Sequence, residues 1–422
     1  MRARRSFGAL QERDFRLLFL SQSVSLLGDG VVAVALAFAV LDLTGSASDL
    51  GFVFAARTIP LVAFLLAGGV LADRLSRRAV MVAADAVRFA SQGLTAGLLI
   101  SGHARIWELA LLQVVHGAAT AFFTPASTGL IPMTVSTERL QQANGLRALS
   151  MSSASIAGPA LGGLLVATIG AGWALAADAS SFALSAALLV GLKLPARDRI
   201  PVQSFLRDLR EGWNEFRSRT WVWVFATWAG LGNLGTAAFG VLGAAIAKQS
   251  LGGAGAWGLI MAALGAGSIL GSLTALHVQL RRPLVSAALA LSGFALPTAA
   301  LALTLPAWVV AAGALFAGAA SMLANTLWET ALQRYVPAAT LSRVSAYDWF
   351  GSMALAPIGY ALAGPIGAAI GFGTTLWIVS GFFALTAPAV AALPSIRQMD
   401  GAPRESRATR SRRSRERLGP ST

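Results

Sequence analysis

There is no cysteine in the 422 residues. Disulfides, thiolate nucleophiles and thiolate metal sites are therefore excluded. Histidine is almost absent. His103, His116 and His277 stand far apart, and no HExxH or other metal-ligand spacing occurs. There is no GxxxxGK[ST] loop through which the chain could use ATP, and no cofactor is implied. Charge is scarce too: 12% of residues are charged, about half the roughly 25% usual in soluble domains. A soluble globular protein of this length needs far more polar surface, so that class is excluded, and so is disorder as the main state.

What is present is apolar. Hydrophobic residues make up 55% of the chain and the mean hydropathy is +0.66. The 44 glycines fit close packing of helices in lipid. Twelve apolar runs stand out, at 15–41, 49–71, 79–101, 106–130, 142–168, 172–194, 220–248, 256–279, 283–303, 307–332, 343–370 and 372–395. Each is long enough to span a bilayer. The expectation is an all-α membrane protein of twelve transmembrane helices in two halves of six. The halves are 1–194 and 220–395, joined by a cytoplasmic linker at 195–219 and followed by a basic, disordered cytoplasmic tail at 396–422. The first run is too long for a cleaved signal peptide and is expected to remain as a span.

The net charge of +14 raises the question of nucleic acid, and its placement answers no. If the N-terminus is cytoplasmic, 29 Arg and Lys fall in inside segments, and only Arg105 and Lys248 fall outside. By the positive-inside rule both termini are then cytoplasmic, in a multi-pass membrane protein. The linker places Phe205, Leu206, Leu209, Trp213 and Phe216 at three- and four-residue steps. That is an amphipathic helix suited to the inner leaflet, with anionic lipid as the expected partner of linker and tail. The halves also look related. Gly158-Pro-Ala-Leu-Gly-Gly and Gly359-Tyr-Ala-Leu-Ala-Gly lie 201 residues apart, each in the fifth run of its half. Two related six-helix halves are the plan of a secondary transporter.

The sharpest motif joins the second and third runs: Gly69-Val-Leu-Ala-Asp73-Arg74-Leu-Ser-Arg77-Arg78. Gly69 allows close packing, and the turn then presents one acid and three bases. Such a cluster can make charge pairs that break when the halves rock. The Gly-xxx-Asp-Arg-xx-Arg-Arg spacing, in this position, resembles the major facilitator superfamily over roughly residues 10–396. Ser76 stands where that family usually has glycine. The second-half counterpart keeps Gly271 and Arg281-Arg282 but lacks the acid. Phe123-Thr-Pro125, Ile131-Pro132, Leu140-Gln-Gln-Ala-Asn144 and Gly158-Pro159-Ala-Leu-Gly162-Gly163 resemble the bacterial efflux branch that includes macrolide and siderophore exporters. The last stretch resembles the helix-5 motif associated with antiporters. There Gly158-Pro159 can bend the helix and Gly162 and Gly163 allow close approach to the other half. Where the family's helix 4 carries an embedded arginine, this chain has Gln113 and His116-Gly117.

Ionisable residues deep in a span are functional candidates. At 1.5 Å per residue, Asp29 lies ~20 Å into the first run and Arg57 ~12 Å into the second from the opposite side, so they can pair. His116 lies ~15 Å into the fourth. Asp29, Arg57 and His116 are the proton-coupling candidates, with a structural ion pair and a packing histidine as the plainer alternatives. The resemblance implies that helices 1, 4, 7 and 10 line the cavity, which singles out Gln113, Asn233 and Asn325 for substrate. Gly69, Asp73, Arg74, Arg77, Arg78, Asp85, Arg88, Asp348 and Glu329 are expected to form a cytoplasmic gate. Asp178 and Glu108 are expected near solvent at the outer ends. The resemblance implies a monomeric transporter that is not an enzyme. It exports a small, partly apolar compound, such as a drug, macrolide or siderophore-like metabolite, in exchange for protons by alternating access. Import of a small nutrient on the same fold is the alternative, and a membrane scaffold or embedded enzyme a remote one.

Overall fold

The computed structural model describes residues 8–193, 205–278 and 280–398. The side chains of 65–74, 205–211, 338–339 and 342–343 fall outside that description. The described residues form helices and no strand. The spans of the first half are α1 (Arg13–Thr44), α2 (Ala47–Arg74), α3 (Arg77–Ile100), α4 (Ile106–Leu130), α5 (Leu140–Ile169) and α6 (Ala171–Val190). Those of the second are α7 (Thr220–Ile246), α8 (Ala254–His277), α9 (Pro283–Ala302), α10 (Ala307–Tyr335), α11 (Ala338–Met353 continued as Ala356–Ile370) and α12 (Phe372–Ala392). Eleven of these are long and apolar enough to cross a membrane among the described residues. The other is α3, 24 residues long, whose apolar run is interrupted by Arg77, Arg78, Asp85 and Arg88.

The shortest connections need glycine. One residue separates α5 from α6 and α11 from α12: Gly170 at φ +89° and Gly371 at φ +92°. A side chain at such a φ costs strain that glycine avoids. These two residues lie 201 positions apart, so the turn recurs with the repeat. That recurrence explains how the last two spans are joined with almost no loop.

The repeat continues in the packing. A Cβ built on Gly117 of α4 would strike the Arg57 carbonyl of α2, and one on Gly318 of α10 would strike the Leu264 carbonyl of α8. Gly158 of α5 meets Gly30 of α1, as Gly359 of α11 meets Leu234 of α7. Helix backbones come this close only where small residues leave the room.

The two halves meet in the same way, twice. On α5 and α8, a Cβ at Gly163 would stand 2.7 Å from the Ala254 oxygen, and one at Gly258 would stand 2.7 Å from the Pro159 oxygen. On α11 and α2, Gly364 meets Ser48 and Gly51 meets the Tyr360 carbonyl. Lys248 Nζ adds a bond to the Leu41 oxygen at 2.6 Å and an ion pair to Asp42 at 2.7 Å. All of this lies at the end away from Arg77, Arg78, Arg139 and Arg219. The molecule is thus closed at the far end, opposite its basic end. Gly162 departs from expectation. Its Cβ would stand 2.7 Å from the Val31 oxygen of α1, within its own half, so only Gly163 of that pair serves the approach between halves.

The linking helix Phe205–Ser218 stands between the halves in sequence. Trp213 and Phe216 lie 5.5 and 5.9 Å from Tyr347 of α11, ring centre to ring centre. That part of its apolar face packs on the second half. Phe205, Leu206 and Leu209 have side chains outside the described residues, as have Gly69, Asp73 and Arg74. Most of the expected tail lies beyond Gln398 and outside the description as well.

Candidate functional site

Asp85, Arg88 and Gln92 fall at i, i+3 and i+7 on α3, so they share one face of the helix. That face is buried: Asp85 and Gln92 are 0% exposed and Arg88 2%. The Arg88 guanidinium pairs with Asp85 and lies 3.7 Å from Asp29 Oδ2 on α1. It sits between the rings of Phe123 and Phe182, 4.1 and 4.3 Å from their centres. Ser185 Oγ of α6 donates to Asp85 Oδ2 at 2.6 Å. A charge buried to this degree persists only when paired and hydrogen-bonded. Arg88 has a carboxylate on its own helix, a second carboxylate within 4 Å and two aromatic faces.

Arg57 of α2 donates from Nη2 to Asp29 Oδ1 at 3.0 Å. Both side chains are partly open, 22% and 30% exposed. The two groups whose depths matched in sequence are therefore in contact. Asp85 and Arg88, expected in the cytoplasmic gate, join Asp29 instead. They lie about 12 and 17 Å along α3 from its start, and their face turns toward α1 and α6.

A fifth charged residue belongs here. Asp178 of α6 is 1% exposed, not solvated at an outer end as expected. Gln92 Nε2 donates to its Oδ2 at 2.9 Å, and its Oδ1 has no partner. The Ser181 hydroxyl, one turn on, also has none. A Cβ at Gly28 would strike both groups, so the absence of a side chain there is what admits them beside α1. Gln113 Nε2 donates to Gln92 Oε1 at 3.2 Å, which continues the chain to α4. Gln113 is 0% exposed and does not line the cavity for which the sequence singled it out. His116 is also 0% exposed, with its ring 5.5 Å from Phe182 and neither ring nitrogen partnered. Asp29, Asp85, Asp178, Arg57 and Arg88 thus form one cluster inside the first half, with His116 within electrostatic reach of both arginines.

The second half holds no such cluster among its described residues. It has a cavity of about 610 Å³, within the range of small-molecule sites. Asn233 and Asn325 line it. Asn233 Nδ2 donates to the Ser352 oxygen at 2.7 Å. Glu329 and Asp348 line it too, which corrects their assignment to the gate. Asp348 is drawn inward because Trp328 Nε1 donates to its Oδ2 at 2.9 Å, and Trp328 stacks on Phe225 at 4.2 Å. Tyr360 connects the two regions. It lines the cavity, packs edge-on against Phe54 of α2 at 5.4 Å, and lies within electrostatic reach of Arg57.

Of the expected gate, Arg77 and Arg78 hold helix ends of their own half. Arg77 donates to the Gly129 oxygen at the close of α4, and Arg78 to the Leu192 oxygen after α6 at 2.6 Å. Cations suit these carbonyl-bearing termini. Glu108 behaves as expected, capping the exposed start of α4 through the Arg105 N–H at 3.0 Å.

Two repeated six-helix halves, closed at one end, with buried charges in one and a cavity in the other, are the plan of the major facilitator superfamily of membrane transporters. More narrowly, the chain belongs to the transmembrane secretion effector family, whose pattern matches residues 4–416. It is 29% identical over 360 residues to the enterobactin exporter EntS of Shigella boydii serotype 18, covering 84% of this chain and 85% of that one. It is 26% identical over 201 residues to macrolide efflux protein A of Streptococcus pyogenes, 47% of this chain. That match spans 50% of the relative's own length. In fold it is similar to the crystal structure of the nucleoside transporter NupG, with a TM-score of 0.73 at 14% identity, covering 90% of this chain and 98% of that one.

Proposed function

We propose that the protein exports a small, partly apolar compound across a bacterial plasma membrane in exchange for protons. The basic end is cytoplasmic on this reading, as the arginine distribution requires. The observation that carries it is the composition of the buried cluster: three carboxyls, Asp29, Asp85 and Asp178, face two guanidiniums, Arg57 and Arg88. With every carboxyl ionised, the carboxyls and guanidiniums leave one negative charge uncompensated inside the membrane, which is costly. One proton balances it. Because these groups interact strongly, the proton belongs to the cluster rather than to one residue. Asp29 is the partly exposed carboxyl of the cluster and so the one through which a proton enters or leaves.

Coupling then follows from alternating access. With the far end closed, the cavity takes substrate from the cytoplasmic side. Opening the far end exposes cavity and cluster to the outside, where substrate leaves and a proton binds. The cluster can bias the conformations only insofar as its proton affinity differs between them. Export by the relatives named for enterobactin and macrolide efflux supports the direction of transport.

The test is uptake into everted membrane vesicles with an imposed pH gradient, acid inside. An exporter with proton exchange concentrates substrate in such vesicles and loses that ability when the gradient is collapsed. Filling of right-side-out vesicles alone would establish import. Concentration that is indifferent to the gradient would remove the proton.

A further inference from the structure

The walls of the cavity have a chemistry of their own. Three tryptophans (Trp228, Trp328 and Trp349) and Tyr360 line it, together with several phenylalanines and methionines. Among the described residues that line it, two are acids, Glu329 and Asp348, and none is Lys, Arg or His. In the first-half cluster Asp29 and Asp85 each have an arginine within 4 Å. Among the described residues, Glu329 and Asp348 have no cationic partner in an ion pair. The Trp328 indole N–H is the donor shown for Asp348, and Glu329 is exposed to the open space. Indole and phenyl faces attract cations, and tryptophan does so best. Arg57, within electrostatic reach of the lining Tyr360, is already paired with Asp29.

We infer that the cavity selects lipophilic organic cations: compounds with an aromatic or aliphatic body and a protonated amine or a permanent positive charge. The body fills the aromatic walls, and the positive centre lies against Glu329, with Asp348 behind it. Negatively charged compounds of the same shape meet two carboxylates and, among the described lining residues, no counter-charge. This assignment names the substrate class of the export reading and rests on the cavity being the substrate site. It does not depend on proton exchange, because it concerns binding alone.

The test uses the purified full-length protein in detergent, without any gradient. Tetraphenylphosphonium and tetraphenylborate are closely similar in shape and opposite in charge, and tetraphenylmethane-type neutral compounds supply the uncharged reference. Binding is followed by equilibrium dialysis, and tryptophan fluorescence checks that the site is the aromatic cavity. The cation is expected to bind at least tenfold more tightly than the anion. Glu329→Gln is expected to weaken the cation about tenfold, leave the neutral compound unchanged and improve the anion; Glu329→Asp is expected to restore part of the cation's affinity. Equal binding of cation and anion to the unaltered protein, or no binding of the cation, overturns the assignment even if Glu329→Gln fails to fold. An unchanged charge preference in both Glu329→Gln and Asp348→Asn overturns it as well. If cations bind but pH-driven export fails in vesicles, proton coupling falls and this assignment stands.

Discussion

The closed far end can be forced open by a single methyl group. In Gly163→Ala the new Cβ would stand 2.7 Å from the Ala254 oxygen and 3.0 Å from the Gly258 Cα, whereas ordinary contact begins at 3.4 Å. Backbone must therefore yield by about 0.7 Å, because no flexible side chain is there to move. Overpacking of this kind costs about 1–3 kcal/mol. Inside one half the strain would have to be absorbed by repacking. At Gly163 the neighbour is the other half, and separation of α5 from α8 relieves it. The conformational equilibrium should then shift away from the far-end-closed state by the same energy, a factor of roughly 5–150. The lack of cysteine makes this measurable, since Leu43→Cys and Gln249→Cys would carry the only two spin labels. Both are exposed and flank the Lys248–Asp42 pair that bridges the halves. Electron–electron distance measurements should show the longer, open population rising in Gly163→Ala. Gly162→Ala is the internal control, because its clash is with Val31 of the same half; it should lower thermal stability without lengthening the distance. If both variants behave alike, or if Gly163→Ala leaves the distribution unchanged, the halves do not separate at this crossing and the reasoning fails.

Other outcomes follow from the buried cluster and the basic end. Asp29→Asn should abolish pH-driven accumulation in reconstituted vesicles yet permit downhill exchange; accumulation against a gradient by this variant would excuse Asp29 from the proton step. Asp178→Asn keeps a group able to bond Gln92 but removes an ionisable carboxyl, so the pH profile of transport should flatten while membrane insertion stays normal. A profile identical to that of the unaltered protein would take Asp178 out of the proton count. Arg78→Ala loses a charged hydrogen bond to the Leu192 oxygen. Hydrogen bonds to charged groups contribute about 1.5–3 kcal/mol, less for a half-exposed group. The melting temperature in detergent should fall by a few degrees, and no change would show that this bond adds nothing.

The sequence discloses depth better than direction. Asp29 and Arg57 were placed together because counting residues from each end of a span gives height in the membrane, and the contact needs little else. Gln113 had the right height and helix, but the rotation of α4 turns it onto α3 and away from the cavity. Asp85 and Arg88 were grouped with the nearby basic turn for the same reason. Asp178 was assigned to solvent from its closeness to a helix end. Yet a readable signal stood beside it: Asp178, Ser181 and Ser185 recur at three- and four-residue steps along an otherwise apolar helix, which marks a buried polar stripe. The repeat was visible in glycine spacing, and the fold follows it closely. The cavity was not visible, since empty space depends on side-chain volumes from several helices at once.

The packing pairs shared by the two halves also set their residues in register, and that register shows where their interiors differ. Arg57, whose carbonyl meets Gly117, corresponds to Leu264, whose carbonyl meets Gly318. By the same spacing Gln113 and His116 correspond to Ala314 and Ala317, and Asp29, beside Gly30, corresponds to Asn233, beside Leu234. Where the first half spends its interior on charge, the second has leucine, alanine and amide, and the room this leaves contributes to the space open to a guest. On the proposed function, the first half is the unit that handles protons and the second the unit that handles cargo. Substitutions that broaden or switch the range of compounds carried should therefore gather in residues 220–395 and leave the driving chemistry intact, and a new cargo need not require a new engine.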